Sequence, residues 1–139
     1  MKTDYIYNIQ VYDLPAGVFL DSLIATKVMG WHLIPEEDST PEEKNSGILQ
    51  WAEMWFDTNN KLMYNRFHPS RNIFDAWEVV KKIGQTYRIN VSVEDGLFSC
   101  KISKRVRDDG IYEMLTEQIH ESAPLAICRA ALLWTTIKK

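Results

Sequence analysis

Three polar constellations in this chain could do chemistry. The first is its histidines, His32, His68 and His120, which with Cys100 and Cys128 supply its borderline-soft ligand atoms. They lie far apart, and none stands with a cysteine or carboxylate at a metal-ligand spacing, so the sequence predicts no metal site and no cofactor. The second is nucleophilic. Cys128 sits between Ile127 and Arg129 in an Ala-Leu-Ile run, where a thiol packs far more often than it reacts. Ser70 follows a proline and is explained as a helix cap. The six glycines stand singly, so no phosphate-cradling loop is present, and no catalytic residue is assigned.

The third constellation is a set of cations beside aromatics: Trp31 with His32, then Arg66, His68, Ser70 and Arg71 around Phe67, and Arg129 in an apolar helix. Arginine and aromatic side chains near a helix start are what a small anionic, nucleotide-like ligand would need. These seven residues (Trp31, His32, Arg66, His68, Ser70, Arg71, Arg129) form the candidate ligand-binding set. The ordinary alternative makes Trp31 and Trp77 core residues and pairs Arg129 with Asp21 or Glu78.

Lys101, Lys104, Arg105 and Arg107 cluster at one hairpin end. With a net charge of -3 and no interleaved aromatics, they read as a solvated strand face rather than a nucleic-acid surface. No window approaches the ~20 apolar residues of a membrane span, and Met1–Asp4 is not followed by a run that suits a signal peptide. Two cysteines make no disulfide framework, so a reducing cytoplasm is expected. The five Trp, six Tyr and five Phe exceed ordinary usage and must fill a core, line a pocket or build an interface.

The elements that position these residues are legible by period. Residues 5–12 are β-branched and aromatic, a short strand or arm within 1–12. Asp13-Leu14-Pro15 opens a first helix over about 14–29, with Leu20, Leu23, Ile24, Val28 and Trp31 on its stripe and Gly30 at its end. Residues 34–47, rich in proline and acids, read as a solvated acidic loop. A hairpin over 51–67 with a two-residue loop at Asn59-Asn60 would oppose Phe56 to Met63, Ala52 to Phe67, Trp55 to Tyr64 and Glu53 to Arg66. Large side chains on both its faces imply that both are covered. Ser70 caps a second helix whose inner stripe is Ile73, Trp77, Val80 and Ile83, closed by Gly84.

The alternation of 87–106 around Asp95-Gly96 predicts a second hairpin pairing Val93 with Phe98, Val91 with Cys100 and Ile89 with Ile102. Residues 111–119 suit strand or helix, and Ser122 and Pro124 open a third helix to about 136. The expectation is one α+β domain over 1–139: an antiparallel sheet of four to five strands with helices on both faces, an α-β-α sandwich.

Three segments, in this order and spacing, resemble the phage ABA-sandwich domain family. They are Ala16-Gly17-x-x-x-Asp21-x-Leu23-Ile24-Ala25-x-Lys27-Val28-Met29-Gly30-Trp31, Phe67-x-Pro69-Ser70-x-Asn72-Ile73-x-x-Ala76-Trp77-Glu78-Val79-Val80, and the run Ala123 to Leu132. The resemblance covers about residues 14–135, departs from the family in the arm 1–12 and in the length of 36–66, and carries no catalytic residues. It implies an αβα fold, a strand at 111–117 and work in the cytoplasm of an infected bacterium. The function expected is therefore a non-enzymatic phage accessory protein that acts by binding, in its most specific form against host defence, by sequestering a small anionic signal or occupying a host protein. A homo-oligomeric self-assembly module is the alternative.

Overall fold

In the computed structural model, residues 5–6, 9–10, 13–33, 54–106 and 110–137 are described. The acidic loop 34–47, the positions of Ala52 and Glu53, and Arg107 lie outside them.

The best-organised part follows directly from alternation. Strands β5 (Arg88–Glu94), β6 (Leu97–Arg105) and β7 (Tyr112–His120) form an antiparallel sheet in the order β5-β6-β7. Asp95 at φ 55° and Gly96 at φ 79° make the tight turn whose twist matches the strands. The register pairs Val93 with Phe98, Val91 with Cys100 and Ile89 with Ile102, as expected from the sequence. The segment 111–119 resolves as strand. It pairs with β6 from Phe98↔His120 to Arg105↔Tyr112, with a bulge between Ile102 and Ser103.

The C-terminal helix, α3 (Ala123–Ile137), packs on β6 and β7 with one side and on the other helices with the rest. Ala126, Ala130 and Ala131 are fully buried, and their small side chains allow that close approach from several directions. Ser122 accepts the Leu125 N–H and its carbonyl accepts from Ala126, which starts the helix where the sequence placed it. Around Ile127 and Leu132 of α3 lie Leu14, Leu20, Ile24, Val79, Ile83, Cys100 and Ile102, the centre of the core.

The first helix departs from expectation at its start and in the hydrogen bonding of its second half, while its end falls where the sequence placed it. Helix α1 (Val18–Leu23) continues as a π-helical turn over Ile24–Val28, with Met29 N–H bonded to the Ile24 carbonyl at 3.1 Å. Its start is four residues later than Leu14. Gly17 adopts φ 151°, ψ -170°, a conformation outside the helix that an L side chain rarely takes, and sends its N–H to the Ser70 hydroxyl instead. The apolar stripe Leu20, Leu23, Ile24 and Val28 is buried as predicted, and Gly30 at φ 78° follows its end.

Helix α2 (Ile73–Ile83) corrects two expectations. Its cap is Asn72, whose side-chain oxygen accepts from Phe74 N at 2.8 Å and Asp75 N at 3.3 Å; Ser70 does not cap it. Its buried face is Asp75, Ala76, Val79 and Ile83. Ile73 and Trp77 are 42% and 48% exposed, so the expected stripe was rotated towards solvent.

The first hairpin, β3 (Met54–Phe56) with β4 (Leu62–Asn65), pairs Trp55 with Tyr64 but opposes Phe56 to Leu62, not to Met63. The loop is longer than two residues. Asn60 N–H closes a turn on the Asp57 carbonyl, only Asn60 takes the left-handed conformation at φ 60°, and Asp57 N–H then bonds Lys61. The Asp57 carboxylate accepts from Asn59 and Lys61 N–H, which pins that shape. Burial on both faces does not hold either: Trp55 is buried, while Leu62 and Met63 are exposed.

Two further short strands, β1 (Tyr5–Ile6) and β2 (Ile9–Gln10), pair with each other. The chain is α+β, with three α-helices among the described residues. Among the described residues, however, the expected single sheet of four to five strands is replaced by three antiparallel sheets of two, two and three strands. The first hairpin is extended by an isolated bridge from His32 to Phe56 rather than joined to β5–β7. No helix among the described residues is long and apolar enough to cross a membrane.

Candidate functional site

The residues between β4 and α2 gather most of the buried polarity. Arg66 ends the strand in a left-handed conformation, φ 61°, and turns the chain into Phe67-His68-Pro69-Ser70. Phe67 enters the core against Trp31 and Tyr64, at ring-centroid distances of 5.0 and 4.9 Å, and Trp31 stacks on Tyr64 at 5.9 Å. This aromatic group anchors the loop that carries the polar residues.

Asp21, on the buried side of α1, reaches that loop across the sequence. Its carboxylate is 4% exposed and accepts from Ser70 N–H at 2.7 Å and from Arg71 Nη2 at 2.8 Å. His68 Nδ1 stands 3.8 Å from the same carboxylate and also meets Arg71 Nη2. Ser70 is 1% exposed, and its hydroxyl accepts the Gly17 N–H at 2.9 Å. A second buried carboxylate, Asp75, accepts the His68 N–H at 2.8 Å and the Tyr64 hydroxyl. Burial, followed by that bond to Asp75, pushes the Tyr64 phenol well above its ordinary range, so it remains a donor.

This arrangement is a lock between α1 and the entry of α2. It contains Asp, His and Ser, but the serine oxygen is sealed from solvent and already engaged by Gly17, where no substrate carbonyl could reach it. Arg71 is committed to Asp21, which leaves less of its charge for an anion. Among the described residues no group of three His, Cys, Asp or Glu side chains is placed to hold a metal ion.

The candidate set therefore divides. Arg66, His68, Ser70 and Arg71 share one loop, with Trp31 beneath it through Phe67. His32 belongs to the first hairpin, its backbone bridged to Phe56 and its ring 6.5 Å from the Phe56 ring. Arg129 lies on α3 and donates from Nε to the Leu14 carbonyl at 2.8 Å, its pKa lowered by burial and supported by Asp13. The expected ion pair of Arg129 with Asp21 or Glu78 is thus corrected: Asp21 is taken by Arg71, and Glu78 pairs with Lys81 at 3.1 Å. Arg129 and Ser70 pin opposite ends of the same segment, Leu14–Gly17.

Sequence reasoning missed Asp75 and Tyr64. Asp75 stood three residues after Asn72 on a helix whose stripe was set by residue type, and a polar residue on the inner face was hidden by that choice. In the basic cluster the register sets Lys101 opposite Glu117 and Lys104 opposite Glu113, with Arg105 over the Tyr112 ring.

A second feature lies beside the lock. Val18 and Phe19 at the start of α1 are 70% and 47% exposed, and Ile73, Phe74 and Trp77 at the start of α2 are 42%, 78% and 48% exposed. The Gly17–Ser70 and Asp21–Ser70 bonds hold the two helix starts next to each other. Exposed large apolar side chains at two helix starts joined in this way mark a candidate contact surface.

The family model of the phage ABA sandwich domain matches residues 22–132. A crystal structure of a phage protein from Bacillus cereus is similar to the chain at 22% identity, with a TM-score of 0.46, and the similarity covers 92% of this chain and 94% of that one. None of the curated proteins matches.

Proposed function

The chain belongs to the phage ABA sandwich domain family, and on that footing we propose that it is a phage accessory protein that works by binding another protein. The observation that carries this reading is the exposure of large apolar side chains at the starts of α1 and α2, Phe74 and Trp77 foremost. Aromatic side chains held rigidly on helices are the usual anchors of protein interfaces, because they bring large contact area at small entropic cost. The lock that joins the two helix starts, Asp21–Ser70–Arg71, supplies the rigidity.

The partner is a host protein whose occupation serves the phage, in its most specific form a component of host defence, and the setting is the cytoplasm of the infected bacterium. Capture of a small anionic signal is the weaker version. Arg71 donates from Nε and Nη2 to Asp21, Arg129 donates from Nε to the Leu14 carbonyl, and Ser70 is sealed. The test is co-purification from infected cells with the wild-type chain and a Phe74→Glu/Trp77→Glu variant. A host protein that is retained by the first and lost by the second supports the proposal; identical recovery by both refutes it.

A further inference from the structure

Among the described residues the sheet ends in a strand with a partner on one side only, and the sequence of that strand is complementary to itself. In the order β5-β6-β7, β5 bonds to β6 on one side only, and Arg88, Asn90, Ser92, Val93 and Glu94 are all exposed. The tight turn at Asp95-Gly96 makes Glu94↔Leu97 a hydrogen-bonded pair, so Arg88, Asn90, Ser92 and Glu94 spend their backbone groups on β6. The N–H and C=O groups of Ile89, Val91 and Val93 therefore point away from the sheet, along its free edge.

We propose that this edge is the docking surface for a second copy of the same chain, antiparallel, with the two-fold axis at Val91. In that register Val91 faces Val91 of the second copy and Ile89 faces its Val93, all with outward backbone groups, which closes about six new hydrogen bonds. Across the same seven residues Arg88 falls opposite Glu94 of the second copy, twice by symmetry. Shifting the register by one step in either direction removes that charge pairing.

The two three-stranded sheets become one of six strands. Val93, 60% exposed although it shares the inner face with Val91 and Ile89, gains an apolar neighbour in Ile89 of the second copy. In the single chain the Arg88 guanidinium lies across the sheet over the Tyr112 ring of β7 at 4.7 Å and donates to Asn90, so pairing with Glu94 of the second copy requires it to swing to the edge.

The other edge does not fit a second copy as well. The charged side chains of β7 are Glu113 and Glu117, with no lysine or arginine to answer them. Strand β5 also carries neither lysine nor proline, the residues that usually guard an edge. This surface is separate from the apolar one at α1 and α2, and neither proposal depends on the other.

The interface is small, so the dimer is weak, with a Kd on the order of 10–100 μM. Sedimentation velocity of the full chain between ~5 μM and ~1 mM tests it, with the variants Glu94→Arg, Arg88→Glu and the double exchange. The expected result is a concentration-dependent monomer–dimer equilibrium, weakened about tenfold or more by either single change and restored to within about threefold by the double exchange. The rescue separates pairing from any structural role of Arg88. A strict monomer at ~1 mM, a dimer indifferent to Glu94→Arg, a loss that the double exchange does not repair, or assembly beyond the dimer would each overturn it.

Discussion

Replacing Asp21 by alanine should cost this protein more than any other single polar change. The carboxylate is buried and holds two groups of different kinds. The Ser70 N–H is itself buried, and a hydrogen bond from such a donor to a charged acceptor contributes about 1.5–3 kcal/mol, most of which is lost when the donor is orphaned. Arg71 is 44% exposed at its side chain, so it turns to water when freed and its share is about 0.5–1 kcal/mol. The sum is about 3 kcal/mol. For a domain of 139 residues the unfolding entropy is roughly 0.3 kcal/mol/K, so Tm falls by about 10 °C. Asp21→Asn keeps one oxygen for Ser70 and should lose about half as much, while Arg71→Ala should lose about 1 kcal/mol. Urea unfolding followed by tryptophan fluorescence measures all three at constant m-value. A loss below about 1 kcal/mol in Asp21→Ala, or one equal to that of Arg71→Ala, would refute the lock.

Four further outcomes follow from the geometry. Ser70→Ala should cost about 1–2 kcal/mol and remove the exchange protection of the Gly17 amide, and Asn72→Ala should cost about 1 kcal/mol and instead deprotect Phe74 and Asp75. Trp77→Ala should change stability by no more than about 0.5 kcal/mol, whereas a core tryptophan would lose about 3–5; chemical denaturation decides. The Cys100 thiol is pushed up to about 12 by burial, so it stays neutral in the fold after the unfolded thiol ionises. Its stabilisation is complete below pH ~8.5 and is lost as pH rises from there through 12, at up to about 1.4 kcal/mol per pH unit. Urea midpoints from pH 8 to 11 should therefore fall more steeply for the wild type than for Cys100→Ala.

How far the sequence foretold this structure depended on whether a signal was local. The β5–β6 hairpin was legible pair by pair, because strict alternation and Asp95-Gly96 together permit one register. The first hairpin misled by one position because Asp57 bonds its own loop and makes room for Thr58, so only Asn60 needs the left-handed conformation. The second helix misled because Ile73 and Trp77 are apolar by type yet exposed, while Asp75 is polar and buried. Residue type sets the cost of burial, but partners decide it, and those of Asp75 come from His68 and Tyr64 outside the helix. Of the candidate site, the loop Arg66–Arg71 was visible as one segment. Its link to Asp21 was not, since a contact across about 50 residues leaves no period in the sequence.

Site-specific photo-crosslinking in infected cells addresses the binding proposal most directly. A crosslinker placed at Phe74 or Trp77 should trap one and the same host protein, and a crosslinker at Lys101, on the outer side of the sheet, should not. Trapping nothing at either helix position, or the same proteins at all three, would contradict the assignment of binding to the α1–α2 surface.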